Sequence, residues 1–184
     1  MPITLDTRTA LIVVDLQSGT VRNPTVHPVD GVIANAVELL AAFRGHDLPV
    51  VIATVDGTPA GRSDYGGGAS AWPVEMTELV SAVVAEPRDI VVARRAWSVF
   101  AATDLVERLA ATGATQVVIV GLATSFGVES TARDAYDAGY NVVVAVDAIS
   151  DMRAEAHENS VTRIFPILGQ TGTTSEVVAA LDAR

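Results

Sequence analysis

The chain contains no cysteine and no lysine; all 12 of its basic residues are arginine. The missing thiol excludes a disulfide framework, a thiolate metal site and a cysteine nucleophile. The missing amine excludes a lysine acid, base or Schiff base, because the arginine guanidinium keeps its proton at any ordinary pH. Positive charge is scarce too: 12 basic side chains against 22 acidic ones leave a formal net charge of −10. Nucleic acid and anionic membrane surfaces repel such a chain at long range, so neither is expected as a partner. The N-terminal MPITLDTRTALIVVDLQ has no basic stretch ahead of its apolar run, and that run is too short to span a bilayer. No export signal or membrane segment is expected, and the expected location is cytoplasmic.

What is present is apolar. Such residues make up 49% of the 184 and charged ones 18%, with no low-complexity run, so burial can offset the entropy lost on folding. The length suits one domain over residues 1–184. Continuous apolar runs at Ala10 to Val14, Pro49 to Val55, Ile90 to Ala93, Gln116 to Val120 and Asn141 to Val146 have the character of strands buried on both faces. Between them, Val32 to Phe43, Val74 to Val84, Asp104 to Ala111 and Val128 to Ala138 carry apolar residues at helical spacing, as does Glu155 to Ile167 after the last run. The C-terminal TTSEVVAAL places a Thr or Ser cap before a final helix. Alternating strands and helices predict βαβ units, hence a mostly parallel sheet with helices on both faces.

Ligands of such sheets bind beyond the carboxyl ends of the strands, so the residues following each apolar run are the candidates for function. Asp15 and Gln17 follow the first run, in VVDLQ. Asp15 is a tunable acid or base there, or a cap of the next turn, and its position does not choose between the two. Arg94 and Arg95 follow the third, in VVARRAWSVFAATDL. A forked cation at position 94 suits a carboxylate, from Asp15 or from a substrate, whereas Arg95 is read as a solvent-facing arginine. Trp97 and Phe100 wall a small apolar pocket or belong to the core. The fourth run enters GLATSFGVESTA, where a helix begins near Gly127 and its first N–H groups offer an oxyanion site. Between Asp56 and Pro73 lies a long loop rich in Gly, Ser and Pro.

These three segments resemble the three signature regions of the isochorismatase-like hydrolases, a family that includes nicotinamidases, carbamoylsarcosine-type amidohydrolases and isochorismatases. The resemblance extends from ALIVVDLQ to the last helix. It implies a three-layer α/β/α sandwich of Rossmann-like topology and three catalytic positions. The aspartate after the first strand is Asp15. The lysine expected six residues before Phe100 is here Arg94, and the cysteine expected three residues after Thr124 is here Gly127. The resemblance also implies a cis peptide between Leu122 and Ala123. Gln17, Trp97 and Phe100, with the turn residues Leu122, Ala123, Thr124, Ser125 and Phe126, are then candidate substrate contacts. With glycine at 127 the thioester route of the family's amidases is closed. The family's isochorismatases also lack that cysteine, but they keep the lysine and use a protonated aspartate, a state that a neighbouring arginine opposes.

Ser125 is expected to cap the helix, with no histidine placed to activate it. His27, His46 and His157 are assigned ordinary surface or capping roles, and the Asp-His-His metal motif of nicotinamidases is missing from VDGTPAGRSD. No metal and no cofactor are expected; the glycines do not form a dinucleotide fingerprint. The leading expectation is a hydrolase of a small polar molecule in which water attacks directly. Beside it stand a silent binding or assembly protein that keeps the fold, and a flavodoxin-like nucleotide binder. A homo-oligomer, dimer or higher, is expected from the apolar helix faces and from the resemblance.

Overall fold

The first strand shows why the fold is layered. Every residue of β1 (Thr9–Val14) is buried, because helices cover both of its faces. Ala10, Ile12 and Val14 belong to one core and Leu11 and Val13 to the other, the period-two alternation of a strand. The computed structural model describes residues 2–64 and 66–184. Around β1 lie β2 (Val50–Val55), β3 (Ile90–Arg94), β4 (Gln116–Leu122), β5 (Asn141–Ser150) and β6 (Gln170–Gly172). They form one six-stranded sheet in the order β6-β5-β4-β1-β2-β3, every neighbouring pair parallel.

One core packs under α1 (Val29–Gly45) and the C-terminal helix Thr174–Asp182, through Leu39, Phe43, Val177 and Leu181. The other packs under α2 (Leu105–Thr112) and α3 (Glu129–Asp137), with Leu105, Leu109, Ala132 and Phe165. The architecture is thus a three-layer α/β/α sandwich. The C-terminal helix opens with the expected Thr cap, completed into a capping box: the Thr173 hydroxyl accepts from the Glu176 N–H while the Glu176 carboxylate accepts from the Thr173 N–H.

Two expected helices differ. Of Val74 to Val84, only Val74–Thr77 is helical. The following residues are drawn beside the exit of β1 instead: Ser18 donates to the Glu78 carbonyl, Val80 donates to the Leu16 carbonyl, and Leu79 bridges Gln17. Backbone pairing there outweighs the helical spacing of the apolar residues. The second, Glu155 to Ile167, is α-helical over α4 (Ala154–Asn159), widens to a π turn over Ser160–Ile164, and resumes over Phe165–Leu168. Pro166 explains the irregularity, since it has no N–H to give and its ring crowds the carbonyl four residues back. The strand β6 was not expected; three residues ending in glycine carry too little pattern. The loop from Asp56 to Pro73 holds two small antiparallel pairs, Gly57–Thr58 with Ser70–Ala71 and Arg62–Ser63 with Gly66–Gly67.

The chain leaves β1 toward β2 on one side, whereas β4 lies on the other, so the crevice between the carboxyl ends of β1 and β4 is the switch point of the sheet. Gly121 lets the two strands close there. It has a φ of +114°, and a Cβ on it would stand 2.0 Å from the Val14 carbonyl oxygen. Gly121→Ala is expected to destabilise the fold by about 2–6 kcal/mol, combining about 1–3 for the backbone conformation with about 1–3 for overpacking. A urea unfolding midpoint close to that of the wild type contradicts this.

Candidate active site

Asp15 sits one residue past β1 with a φ of +51°, a left-handed bend that aspartate tolerates better than most side chains. The Thr20 hydroxyl holds the bend by donating to the Asp15 carbonyl. Arg94 ends β3, two strands away, and its side chain reaches across the end of β2 to the same carboxylate. Its Nη1 donates to Asp15 Oδ1, and its Nη2 donates to Oδ2 at 3.0 Å and to the Trp97 carbonyl at 2.8 Å. Both residues are buried, Asp15 at 6% and Arg94 at 5% exposure. The geometry is the two-pronged arginine–carboxylate pair, the strongest form of such a bond. Burial pushes the Asp15 carboxyl above its ordinary value, and the hydrogen bonds and charge of Arg94 oppose that rise without cancelling it.

Opposite the pair stands Gly127, inside the π turn Thr124–Val128. A Cβ there would lie 3.0 Å from Val14 Cγ1 and 3.3 Å from both Asp15 Oδ2 and the Leu122 carbonyl. Glycine thus leaves the carboxylate its room. The peptide between Leu122 and Ala123 is cis.

A cavity of about 200 Å³ opens above Asp15 and Gly127. Leu122, Ala123, Phe126 and Trp97 line it with them, and the Trp97 and Phe126 rings meet edge to face at 5.0 Å. The remaining candidates lie elsewhere. Arg94 acts from behind Asp15 and does not line the cavity. Gln17 is fully buried: its amide donates to the Val55 and Thr77 carbonyls and accepts from the Val55 N–H, tying the ends of β1 and β2. Phe100 belongs to the core, its ring 6.0 Å from that of Tyr140. Thr124 and Ser125 face away from the cavity. Ser125 donates from both N–H and hydroxyl to Asp151 Oδ2, at 2.7 and 2.8 Å, and Thr124 Oγ1 lies 2.9 Å from His157 Nδ1.

Those last contacts reveal residues that sequence reasoning missed. Asp151 is fully buried at the end of β5 and caps the start of the π turn. His157, expected to hold an ordinary surface or capping position, is buried behind it, with its ring 4.9 Å from that of His27. Burial, and secondarily the neighbouring His27, lowers its proton affinity. The position of Asp151 just after an apolar strand was the available signal for the first; nothing local marks the second. Arg95, by contrast, pairs with Asp56 at 3.1 Å with both side chains about half exposed, the solvent-facing role read from the sequence. Among the described residues no group of three or more acidic or histidine side chains is arranged to hold a metal ion, and no helix is long and apolar enough to cross a membrane.

Comparison with known proteins places the same segments in one family. The Isochorismatase domain family matches residues 9–176. The isochorismatase family protein YecD of Escherichia coli O157:H7 is 36% identical over 182 residues, covering 94% of this chain and 96% of its own. The family protein YwoC of Bacillus subtilis is 35% identical over 179 residues, 92% of each chain. Among solved structures, an isochorismatase family protein from Burkholderia thailandensis superposes with a TM-score of 0.94 at 37% identity, covering 99% of this chain and all of the other.

Removing one partner of a buried pair strands the other. Arg94→Met is therefore expected to cost about 3–5 kcal/mol at neutral pH, and the deficit has a pH signature. Without Arg94, burial alone acts on Asp15 and favours its neutral form further. The loss is then smallest under acid conditions, where the carboxyl holds its proton, and grows as pH rises through the raised value. Denaturation of both proteins across that range checks this; a deficit that shrinks with rising pH contradicts it.

Proposed function

Because the chain belongs to the isochorismatase family, we propose that it is a hydrolase of a small molecule in which Asp15 acts as general base and water attacks directly. The reading rests chiefly on one observation: the carboxylate on the cavity floor, the only one lining it among the described residues, is held by an arginine, opposite a glycine that offers no nucleophile.

The permanent charge of Arg94 and its two hydrogen bonds favour an ionised Asp15, while burial keeps that carboxylate more basic than one in water. Such a group suits C–N hydrolysis. A water oxygen adds to the substrate carbonyl carbon as Asp15 takes the water proton. The C–N bond then breaks and the proton passes from Asp15 to the leaving nitrogen, giving a carboxylic acid and an amine. The N–H groups of Ala123 and Gly127, at the start of the turn, are the proposed donors to the oxygen that gains charge. A vinyl ether needs Asp15 protonated instead, which the guanidinium opposes.

The test is a hydrolysis screen over small amides, ureas and vinyl ethers. For a substrate that is turned over, Asp15→Asn is expected to lower kcat/KM by about 100-fold or more. The wild-type rate should fall on acidification with a midpoint above the ordinary aspartate value, because protonation removes the base. A rate that rises on acidification assigns Asp15 the acid role, and a variant active within about tenfold of the wild type removes it from the chemistry. Circular dichroism on Asp15→Asn separates lost catalysis from lost fold.

A second reading, a silent binding or assembly protein, is favoured by the engagement of both Asp15 oxygens by Arg94. Gly127→Cys combined with Arg94→Lys addresses it. A gain of amidase activity in that double variant shows a cavity still shaped for chemistry, although a new Cβ at 127 must displace Val14 by a few tenths of an ångström.

A further inference from the structure

We infer that the cavity over Asp15 is built for an uncharged, flat, ring-sized ligand, and not for a carboxylate or a small cation. The inference rests on the reading of this cavity as the reaction site and adds the charge and shape of what enters it.

Charge is balanced throughout the cavity. On the floor, Asp15 is neutralised by Arg94, whose Nη1 and Nη2 donate to the two Asp15 oxygens and to the Trp97 carbonyl. At the rim, the cation is Arg95, already paired to Asp56. Among the described residues that line the cavity, a ligand carboxylate therefore finds no buried cation free for it, and a ligand cation finds no unpaired carboxylate. Ions are poorly held where no opposite charge replaces their water. The hydroxyl protons of the wall have protein acceptors as well: Thr20 the Asp15 or Gln17 carbonyl, Thr25 the His27 carbonyl and Thr58 the Gly68 carbonyl.

Apart from the Asn23 amide, whose nitrogen donates to the Thr20 carbonyl, what remains is apolar and aromatic. Trp97 and Phe126 form an edge-to-face corner, and Trp72 and Met152 also line the space. Flat rings pack well in such corners, gaining dispersion and quadrupole contacts that an alkyl chain lacks. The size agrees: an apolar cavity of about 150 Å³ is enough for benzene, and this one measures about 200 Å³. One ring with one short polar substituent fits, the substituent directed to the floor beside Asp15 and the first N–H groups of the turn.

Three probes of one shape and different charge test this at pH 7.5: benzamide, benzoate and benzamidine, titrated by calorimetry into the intact chain. Benzamide is expected to bind with a Kd at least about tenfold below the other two. Trp97→Ala, at a side chain 59% exposed and hence compatible with the fold, is expected to weaken benzamide about five- to tenfold. Tighter or equal binding of benzoate overturns the inference, since it requires Arg94 or Arg95 to act as an uncompensated cation. Tighter or equal binding of benzamidine overturns it by requiring a free carboxylate. Failure of all three probes to bind, or benzamide binding unchanged in Trp97→Ala, overturns it too. Binding is read without turnover, so absence of hydrolysis of any compound sinks the hydrolase reading and leaves this one standing on its own result.

Discussion

The two-pronged bond between Arg94 and Asp15 is the constraint around which the upper edge of the sheet is arranged. The partners are 79 residues apart in sequence and belong to strands that are not neighbours, since β2 lies between them. A guanidinium is long enough to cross that strand and wide enough to take both carboxylate oxygens, which a lysine ammonium cannot do. Desolvation of two charges is expensive, and such pairs seldom stabilise a fold over an apolar alternative. A buried pair kept at the switch point of a parallel sheet is better explained by the state in which it holds the carboxylate: fixed in direction, electrically compensated, and raised in basicity by its surroundings.

Everything near the pair is consistent with protecting that state. The left-handed bend at Asp15 aims the side chain back over the sheet, and the Thr20 hydroxyl fixes the bend. Gly127 keeps the facing turn close without placing an atom against Oδ2. The turn is anchored from behind by Asp151, which takes both polar hydrogens of Ser125, and by His157 against Thr124. The same side chains that looked like candidate substrate contacts thus serve as the frame of the site, and the cavity itself is walled by Phe126, Trp97, Leu122 and Ala123.

Membership of the isochorismatase family agrees with the fold, and at two of the three positions that the resemblance implies this chain carries residues other than the pattern's. The two departures are geometrically related. A side chain at 127 would press on Asp15 Oδ2, the oxygen that Arg94 Nη2 also holds. Arginine at 94 and glycine at 127 thus meet around one carboxylate oxygen.

The sequence by itself determined the fold class, because continuous apolar strands alternating with amphipathic helices admit few solutions other than a parallel sheet covered on both sides. It placed Asp15 and Arg94 at the ends of apolar runs, the family resemblance marked these two and Gly127 as the catalytic positions, and the composition excluded thiol and amine chemistry outright. Only the tertiary structure decided which candidates meet. Gln17, Phe100, Thr124 and Ser125 sit within a few residues of cavity-lining positions, yet a turn of backbone sends their side chains into the frame or the core. The partners that hold them, Val55, Tyr140, His157 and Asp151, are distant in sequence or unmarked by any local pattern. Side-chain direction is set by backbone dihedrals and by packing against such remote neighbours, and those are long-range quantities that a linear pattern does not encode.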